Sequence, residues 1–357
     1  MRLAIATDAW SPQINGVVRT MSETVSRLKT RGFDIELVSP EKFTTIPCPG
    51  YPEIRLAVAP RFGVRKALGK FAPDIVHITT EGPIGWSARA WCLKHKVPFT
   101  TAFHTRFPEY VAERTPLSAN MLWPVMRKFH DGSRAVLTAT QSLRDELEAR
   151  GIKKTHLWSR GIDHQLFNPT HDAHPLLRHL PKPIMLSVGR IAVEKNLTAF
   201  LDCPVEGTKV LVGDGPARAE LELQYPDAVF LGIRGGAELA SIYATADVFV
   251  FPSKTDTFGL VIVEALACGL PVAAYPVPGP LDIIGANGRG RDGGLPDAVG
   301  CLNAKLSDAI AAALNINRAS AAEYGKSFCW ENCTDQFIAG ISSAAPTHTN
   351  REKLPVH

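Results

Sequence analysis

The sequence has no Asp-x-Asp pair, no Cys-x-x-Cys pair and no run of 18 uninterrupted apolar residues. Each absence removes a class of function. Without closely spaced carboxylates there is no ready oxygen cage for a divalent cation. The seven cysteines, at positions 48, 92, 203, 268, 301, 329 and 333, are scattered and odd in number, so neither a zinc site nor a disulfide framework is indicated. No segment is long and apolar enough for a spanning helix. The opening Met1-Arg-Leu-Ala-Ile-Ala-Thr7 runs directly into a strand pattern and lacks the apolar length of a secretion signal, so a cytoplasmic location is expected.

What is present describes a soluble α/β protein. With 357 residues, 45% hydrophobic and 21% charged, the chain is too long for one ordinary core and suits two domains. Charge divides unevenly: residues 1–180 carry 25 Lys+Arg against 16 Asp+Glu (+9), and the remainder 14 against 19 (−5), which sum to the net +4. A basic half points to an anionic surface or ligand.

Short apolar runs alternate with amphipathic segments, the pattern of a parallel sheet covered by helices. Strands are expected at 3–7, 34–38, 75–78, 99–103 and 135–138, and helices at 17–30, 84–94 and 143–150, with Gly32 and Gly151 at C-terminal caps. Residues 168–183, with four prolines and three histidines, read as a linker. A second series of strands is expected at 184–188, 209–212, 229–231, 248–251 and 272–274. Two such doubly wound halves bind ligands beyond the carboxyl ends of their strands.

The most informative stretch is Pro252-Ser-Lys-Thr-Asp-Thr-Phe-Gly-Leu-Val-Ile-Val-Glu-Ala-Leu-Ala-Cys-Gly-Leu-Pro271. A strand feeding a helix through a glycine turn exposes backbone N–H groups where a phosphate can settle. Asp256 and Glu264, eight residues apart around Phe258, Gly259 and Leu260, repel phosphate but accept hydrogen bonds from hydroxyls on either side of it. A diphosphate with hydroxylated groups at both ends is a nucleotide sugar. The alternative is a favourable first-turn charge and a solvated helix position. Arg190 and Lys195, beyond the strand at 184–188, can grip a diphosphate, or can be salt-bridged surface residues. Gly213 ends the next strand in Gly213-Asp-Gly-Pro216, and Gly16 in Asn15-Gly-Val-Val18 lies after strand one, where a plain turn is the competing reading. His104 follows the strand at 99–103 and can hydrogen-bond a sugar hydroxyl or handle a proton, whereas His77, inside a strand, reads as packing.

Taken together, Asn15-Gly-Val-Val, Ser187-Val-Gly-Arg-Ile with Glu194-Lys-Asn, Gly213-Asp-Gly-Pro, Phe251-Pro-Ser and Glu264-Ala-Leu-Ala-Cys-Gly-Leu-Pro-Val resemble retaining glycosyltransferases of family 4, over nearly the whole chain. The resemblance implies the GT-B fold, two Rossmann-like domains facing across a cleft, with a last helix from Trp330-Glu331 crossing back to the first domain. It implies that Glu264 binds the nucleotide ribose, and that Asp256 and the amides of Phe258, Gly259 and Leu260 hold the sugar and diphosphate. Arg190 and Lys195 would bind the diphosphate, Gly16 would close over it, and His104 would sit beside the sugar. The family usually has Glu at the position of Asp256. Thr80-Glu-Gly-Pro-Ile-Gly, Phe103-His-Thr-Arg-Phe-Pro-Glu-Tyr and Leu157-Trp-Ser-Arg-Gly-Ile-Asp look like a bacterial branch that contains GDP-mannose-using mannosyltransferases and resembles enzymes that glycosylate diacylglycerol or phosphatidylinositol.

The expected organisation is an acceptor domain at 1–168, a linker at 169–183, a nucleotide-sugar domain at 184–328, a crossover helix at 329–343 and a disordered tail at 344–357. The expected reaction moves a hexosyl group from a UDP- or GDP-sugar to a membrane glycerolipid such as diacylglycerol, without metal or cofactor. Alternatives are an α-mannosyltransferase acting on a soluble or polyprenyl-linked saccharide, and an epimerase of GT-B fold. Arg61, Arg65, Lys66 and Lys70, interleaved with Phe62, Val64, Leu68 and Phe71, suggest docking on the inner, anionic face of the cell membrane. The alternative is a solvated helix packing those apolar residues on the sheet. No nucleic-acid partner is expected.

Overall fold

A computed structural model of the protein describes residues 1–13, 15–48, 51–112 and 118–343. The chain forms two compact units, Met1–Pro108 with Pro116–Ser159 and Glu331–His357, and Glu109–Thr115 with Arg160–Trp330. The tail expected at 344–357 lies outside the described residues.

The first half runs β1 (Arg2–Ala6), α1 (Gly16–Thr30), β2 (Asp34–Val38), an antiparallel hairpin of β3 (Thr45–Cys48) and β4 (Tyr51–Ala57), α2 (Arg61–Phe71), β5 (Ile75–Ile78), α3 (Pro83–His95), β6 (Phe99–Phe103), α4 (Phe107–Ala112), α5 (Ala119–His130), β7 (Val136–Thr138), α6 (Gln141–Ala149) and β8 (Thr155–Leu157). The second continues with β9 (Ile184–Val188), α7 (Leu197–Leu201), β10 (Thr208–Val212), α8 (Arg218–Gln224), β11 (Val229–Phe230), α9 (Gly236–Thr245), β12 (Val248–Phe251), α10 (Leu260–Ala267), β13 (Val272–Ala274), α11 (Pro280–Ile284), β14 (Gly300–Leu302), α12 (Leu306–Ala313), α13 (Arg318–Gly325) and α14 (Trp330–Ser342).

Both six-stranded sheets are parallel, ordered β2-β1-β5-β6-β7-β8 and β11-β10-β9-β12-β13-β14. Central strands are buried on both faces, which is why they read as largely apolar runs. Local signals set the helix ends. Asn15 Oδ1 accepts from the N–H groups of Val17 (3.1 Å) and Val18 (3.0 Å) to start α1, and Thr140 Oγ1 accepts from Leu143 to start α6. Gly32 and Gly151 follow α1 and α6 with φ of 82° and 85°, a region only glycine enters without strain.

The division between the units falls after Ser159, not after 168. The proline-rich residues 169–183 are part of the second unit. Ser241 Oγ of α9 donates to Asp172 O (2.8 Å), and the His174 N–H donates to Thr245 Oγ1 (2.7 Å). Prolines end regular structure there without preventing packing. Helix α14 is held in the first unit, where Arg27 and Arg31 pair with Glu331 and Asp335 and the Ser159 N–H donates to Gln336 Oε1 (2.7 Å). Phe337 packs edge-on to His77, 4.9 Å between centroids, so that histidine is a core residue.

In helix α2 the apolar residues lie as the alternative reading placed them. Val64 and Leu68 are fully buried in the first core and Phe71 packs against it, so the apolar side of this segment is already occupied. Arg61, Arg65, Lys66 and Lys70 are exposed, and of the apolar residues named above only Phe62, 77% accessible, faces outward. An apolar stripe of this kind arises whenever a helix covers a sheet, and sequence periodicity does not say which apolar surface receives it.

Candidate active site

In an open parallel sheet the ligand crevice opens where the strand order reverses direction. In the second unit that point lies between β9 and β12, which are hydrogen-bonded neighbours although about sixty residues separate them in sequence. The turn after β9 carries Gly189, Arg190 and Lys195, and the turn after β12 carries Asp256 through Leu260. The topology therefore brings together the cationic and the carboxylate groups nominated from the sequence.

The two turns are tied to each other. Asn196, at φ 52°, donates from Nδ2 to Pro252 O (3.1 Å), and Ser253 Oγ reaches Glu194 O at 3.4 Å. Lys195 Nζ lies 2.5 Å from Asp256 Oδ1, with the two side chains 23% and 17% exposed. An ammonium is a multiple donor, and this pairing holds Lys195 at the switch point. Asp256 Oδ2 is buried and has no hydrogen-bond partner among the described residues, an acceptor available to a ligand hydroxyl. Arg190 is half-buried beside Gly189.

Helix α10 begins at Gly259, whose φ of 95° turns the chain sharply, with no side-chain cap and no acid in its first turn. Its leading N–H groups are therefore presented to whatever anion lies at the switch point. The loop after β13 braces the turn from behind: a Cβ on Gly279 would lie 2.9 Å from Phe258 O. Glu264 follows on α10, 3% exposed, where it accepts the phenol O–H of Tyr243 at 2.9 Å.

Gly213 closes the site through the next strand. Its φ is 136°, and a Cβ there would sit 1.9 Å from Gly189 O, inside the neighbouring turn. Gly213→Ala should cost about 3–5 kcal/mol, combining backbone strain with displacement of that turn. Gly189→Ala, at φ 149°, shares the backbone strain but not the clash, since its Cβ meets nothing within 4 Å, and should cost less. Urea midpoints of the two variants check this, and equal midpoints would show that the turns are not packed as described.

The first unit has an equivalent switch point, between β1 and β5, but fills it with its own charge. Asp8 accepts the N–H groups of Ile84 (2.9 Å) and Gly85 (3.2 Å), so a carboxylate already occupies the N-terminus of α3. Glu81 follows β5, its carboxyl pushed up to about 8 by burial, 3.7 Å from His130, whose imidazole burial lowers to about 3. At neutral pH both are uncharged, so this contact is not an ion pair.

His104 stands at the carboxyl end of β6, 8% exposed, edge-on to Trp158 at 5.5 Å between centroids. Gly16 is the first residue of α1. Arg190, Lys195, Gly213, Asp256, Phe258, Gly259, Leu260 and Glu264 thus gather in the second unit, while Gly16, His104 and the α2 cations belong to the first. Sequence reasoning missed Tyr243, Asn196, Asp8 and Glu81. For Asn196 the adjacent Glu194-Lys195 was a usable signal, whereas Tyr243 looked like any apolar helix residue.

A family model described as Glycosyltransferase Family 4 matches residues 14–166, and one described as Glycosyl transferases group 1 matches residues 182–315. The chain is 31% identical over 334 residues to a GDP-mannose-dependent alpha-mannosyltransferase of Mycobacterium tuberculosis (strain CDC 1551 / Oshkosh), covering 87% of each chain. This chain belongs to glycosyltransferase family 4. It is 28% identical to the alpha-monoglucosyldiacylglycerol synthase of Streptococcus pneumoniae, covering 78% of this chain and 72% of that one. Among solved structures, sucrose-phosphate synthase from Thermosynechococcus elongatus superimposes with a TM-score of 0.75 at 20% identity, over 95% and 97% of the two chains, which establishes the shared GT-B architecture. The protein is accordingly a glycosyltransferase, and no described helix is long and apolar enough to cross a membrane.

Proposed function

We propose that this glycosyltransferase moves a hexosyl group from a UDP- or GDP-linked sugar to a membrane glycerolipid such as diacylglycerol, with retention at the anomeric carbon. The observation that carries the reading is the switch point between β9 and β12, where two cations and an uncapped helix N-terminus lie between two carboxylates. Diphosphate settles on the N–H groups of α10 and is neutralised by Arg190 and Lys195. Glu264 takes the ribose, and Asp256 Oδ2 takes a sugar hydroxyl. The bond from the anomeric carbon to the diphosphate breaks as the acceptor oxygen bonds to the same face. The acceptor proton passes to the departing phosphate oxygen, whose charge the cations and amides stabilise.

The first unit takes the acceptor. A cavity of about 200 Å3 lies there, lined by Trp10, Pro12, Gln13, Phe43 and Arg55 among others. It is smaller than the roughly 300–1,000 Å3 of drug-sized sites and suits a headgroup-sized moiety. The exposed cations of α2 dock the unit on anionic lipid, by charge and not by insertion of an apolar face. The mycobacterial relative, a GDP-mannose-dependent alpha-mannosyltransferase, supports GDP-mannose as the donor of a second reading, in which the acceptor is a soluble or polyprenyl-linked saccharide.

A screen of UDP- and GDP-sugars over a lipid extract, read by mass spectrometry, tests the assignment, with a hexosylated glycerolipid as the expected product. Flotation with anionic vesicles tests docking: protein that stays in solution at low salt, together with transfer only to water-soluble saccharides, overturns the lipid reading in favour of the second.

A further inference from the structure

Tyr243 is fully buried, and its phenol donates to Glu264 Oε2 at 2.9 Å. A buried tyrosine hydroxyl needs a partner, but here the partner is the carboxylate assigned to the ribose. Both ends of the bond are immobilised. The tyrosine ring is held by Phe167 and Phe249, 6.0 and 5.8 Å between centroids. Arg318 ties down the carbonyls at the end of α9, donating from Nη2 to Ala244 O (2.8 Å) and from Nη1 to Ala246 O. On the other side, α13 presses on α10: a Cβ on Gly325 would lie 2.5 Å from the Ala267 backbone nitrogen. The hydrogen bond therefore joins two helices that cannot drift apart, and it fixes the side-chain torsions of Glu264.

We propose that Tyr243 is a positioning residue for the donor, clamping one oxygen of Glu264 so that the carboxylate is held in a fixed orientation toward the 2′- and 3′-hydroxyls of the nucleoside. The inference rests on the reading of Glu264 as the ribose ligand. It also gives residues 169–183 a part in the site, because Asp172 and His174 are bonded to the helix that carries the tyrosine.

Calorimetric titration of UDP and GDP, and of their 2′,3′-dideoxy forms, tests this on the intact enzyme and on Tyr243→Phe, which keeps the ring packing. Wild type should prefer the ribo forms, and Tyr243→Phe should bind them about tenfold more weakly while its affinity for the dideoxy forms is unchanged. In turnover the same loss should fall on the donor KM more than on kcat. Equal ribo-to-dideoxy preference in wild type and Tyr243→Phe overturns the positioning role and leaves Glu264 in place. A wild type that does not distinguish the two forms removes the ribose reading of Glu264 itself, and the proposal with it. If Tyr243→Phe does not fold, 3-fluorotyrosine at 243 keeps the ring and hydroxyl but makes the O–H a stronger donor. Ribo affinity must then shift while dideoxy affinity stays, and a shift in neither overturns the proposal.

Discussion

Lys195→Ala is expected to lower kcat by about 10²–10³ while the protein stays folded. The expectation follows from what the ammonium faces. It is held 2.5 Å from Asp256 Oδ1, in the tie between the turns of β9 and β12, and it is aimed at the switch point where leaving-group charge develops. A thousandfold loss corresponds to about 4 kcal/mol of transition-state stabilisation, a reasonable share for one fixed charge in a partly dehydrated site. Stability should suffer less, because both side chains keep some contact with solvent and the carboxylate can rehydrate. Adding Asp256→Asn to Lys195→Ala should cost less than the two single effects combined, since the residues act as a unit. Steady-state kinetics on a purified donor and acceptor decides the matter. Turnover within about threefold of wild type would remove Lys195 from the mechanism.

Stability of the folded protein should peak near pH 6.5 and decline on both sides. His77 and His130 are buried neutral, their folded values lowered from 6.5 to about 3 by desolvation. A depressed histidine contributes stability that is present above 6.5 and is lost as pH falls toward the folded value, because only the unfolded chain gains the proton. A shift of that size is worth up to about 5 kcal/mol for each histidine. Glu81 acts in the opposite sense. Its folded value is raised from 4.5 to about 8 by burial, so its contribution is complete below 4.5 and is lost as pH rises toward 8. Asp8, raised by burial, weakens the fold in the same direction as pH rises. Between 4.5 and 6.5 the two histidines outweigh Glu81, with Asp8 narrowing the margin, and above 6.5 the change comes from Glu81. Thermal unfolding from pH 4 to 9 reads this directly. Glu81→Gln should flatten the limb between pH 6.5 and 8 and leave the acid limb intact. An unaltered alkaline slope in that variant would show that Glu81 is ionised in the folded protein at neutral pH.

Much of the fold was legible because each signal was local. The strands at 34–38, 75–78, 99–103, 184–188, 248–251 and 272–274 are found where expected; all but the edge strand at 34–38 are buried along nearly their whole length, and such strands read as mostly apolar runs between turn residues. Strands β8 and β14 and the β3–β4 hairpin were not anticipated. Edge strands of three residues carry too little pattern, and the hairpin residues face solvent as much as core. The glycine turns and acids of the site were legible because a chain that must turn tightly against a ligand needs particular residues at fixed spacing.

Sequence alone determined the chemistry on offer: which carboxylates, which cations, and which glycine turn could receive an anion. It could not determine who stands next to whom. That β9 lies against β12, placing Lys195 on Asp256, follows from sheet order, which depends on the packing of whole helices. The fate of α2's apolar stripe and the pairing of Tyr243 with Glu264 were decided in the same way. Apolar periodicity records that a face is buried, but the partner it is buried against, and the polar atom that partner holds in place, exist only once distant segments have packed.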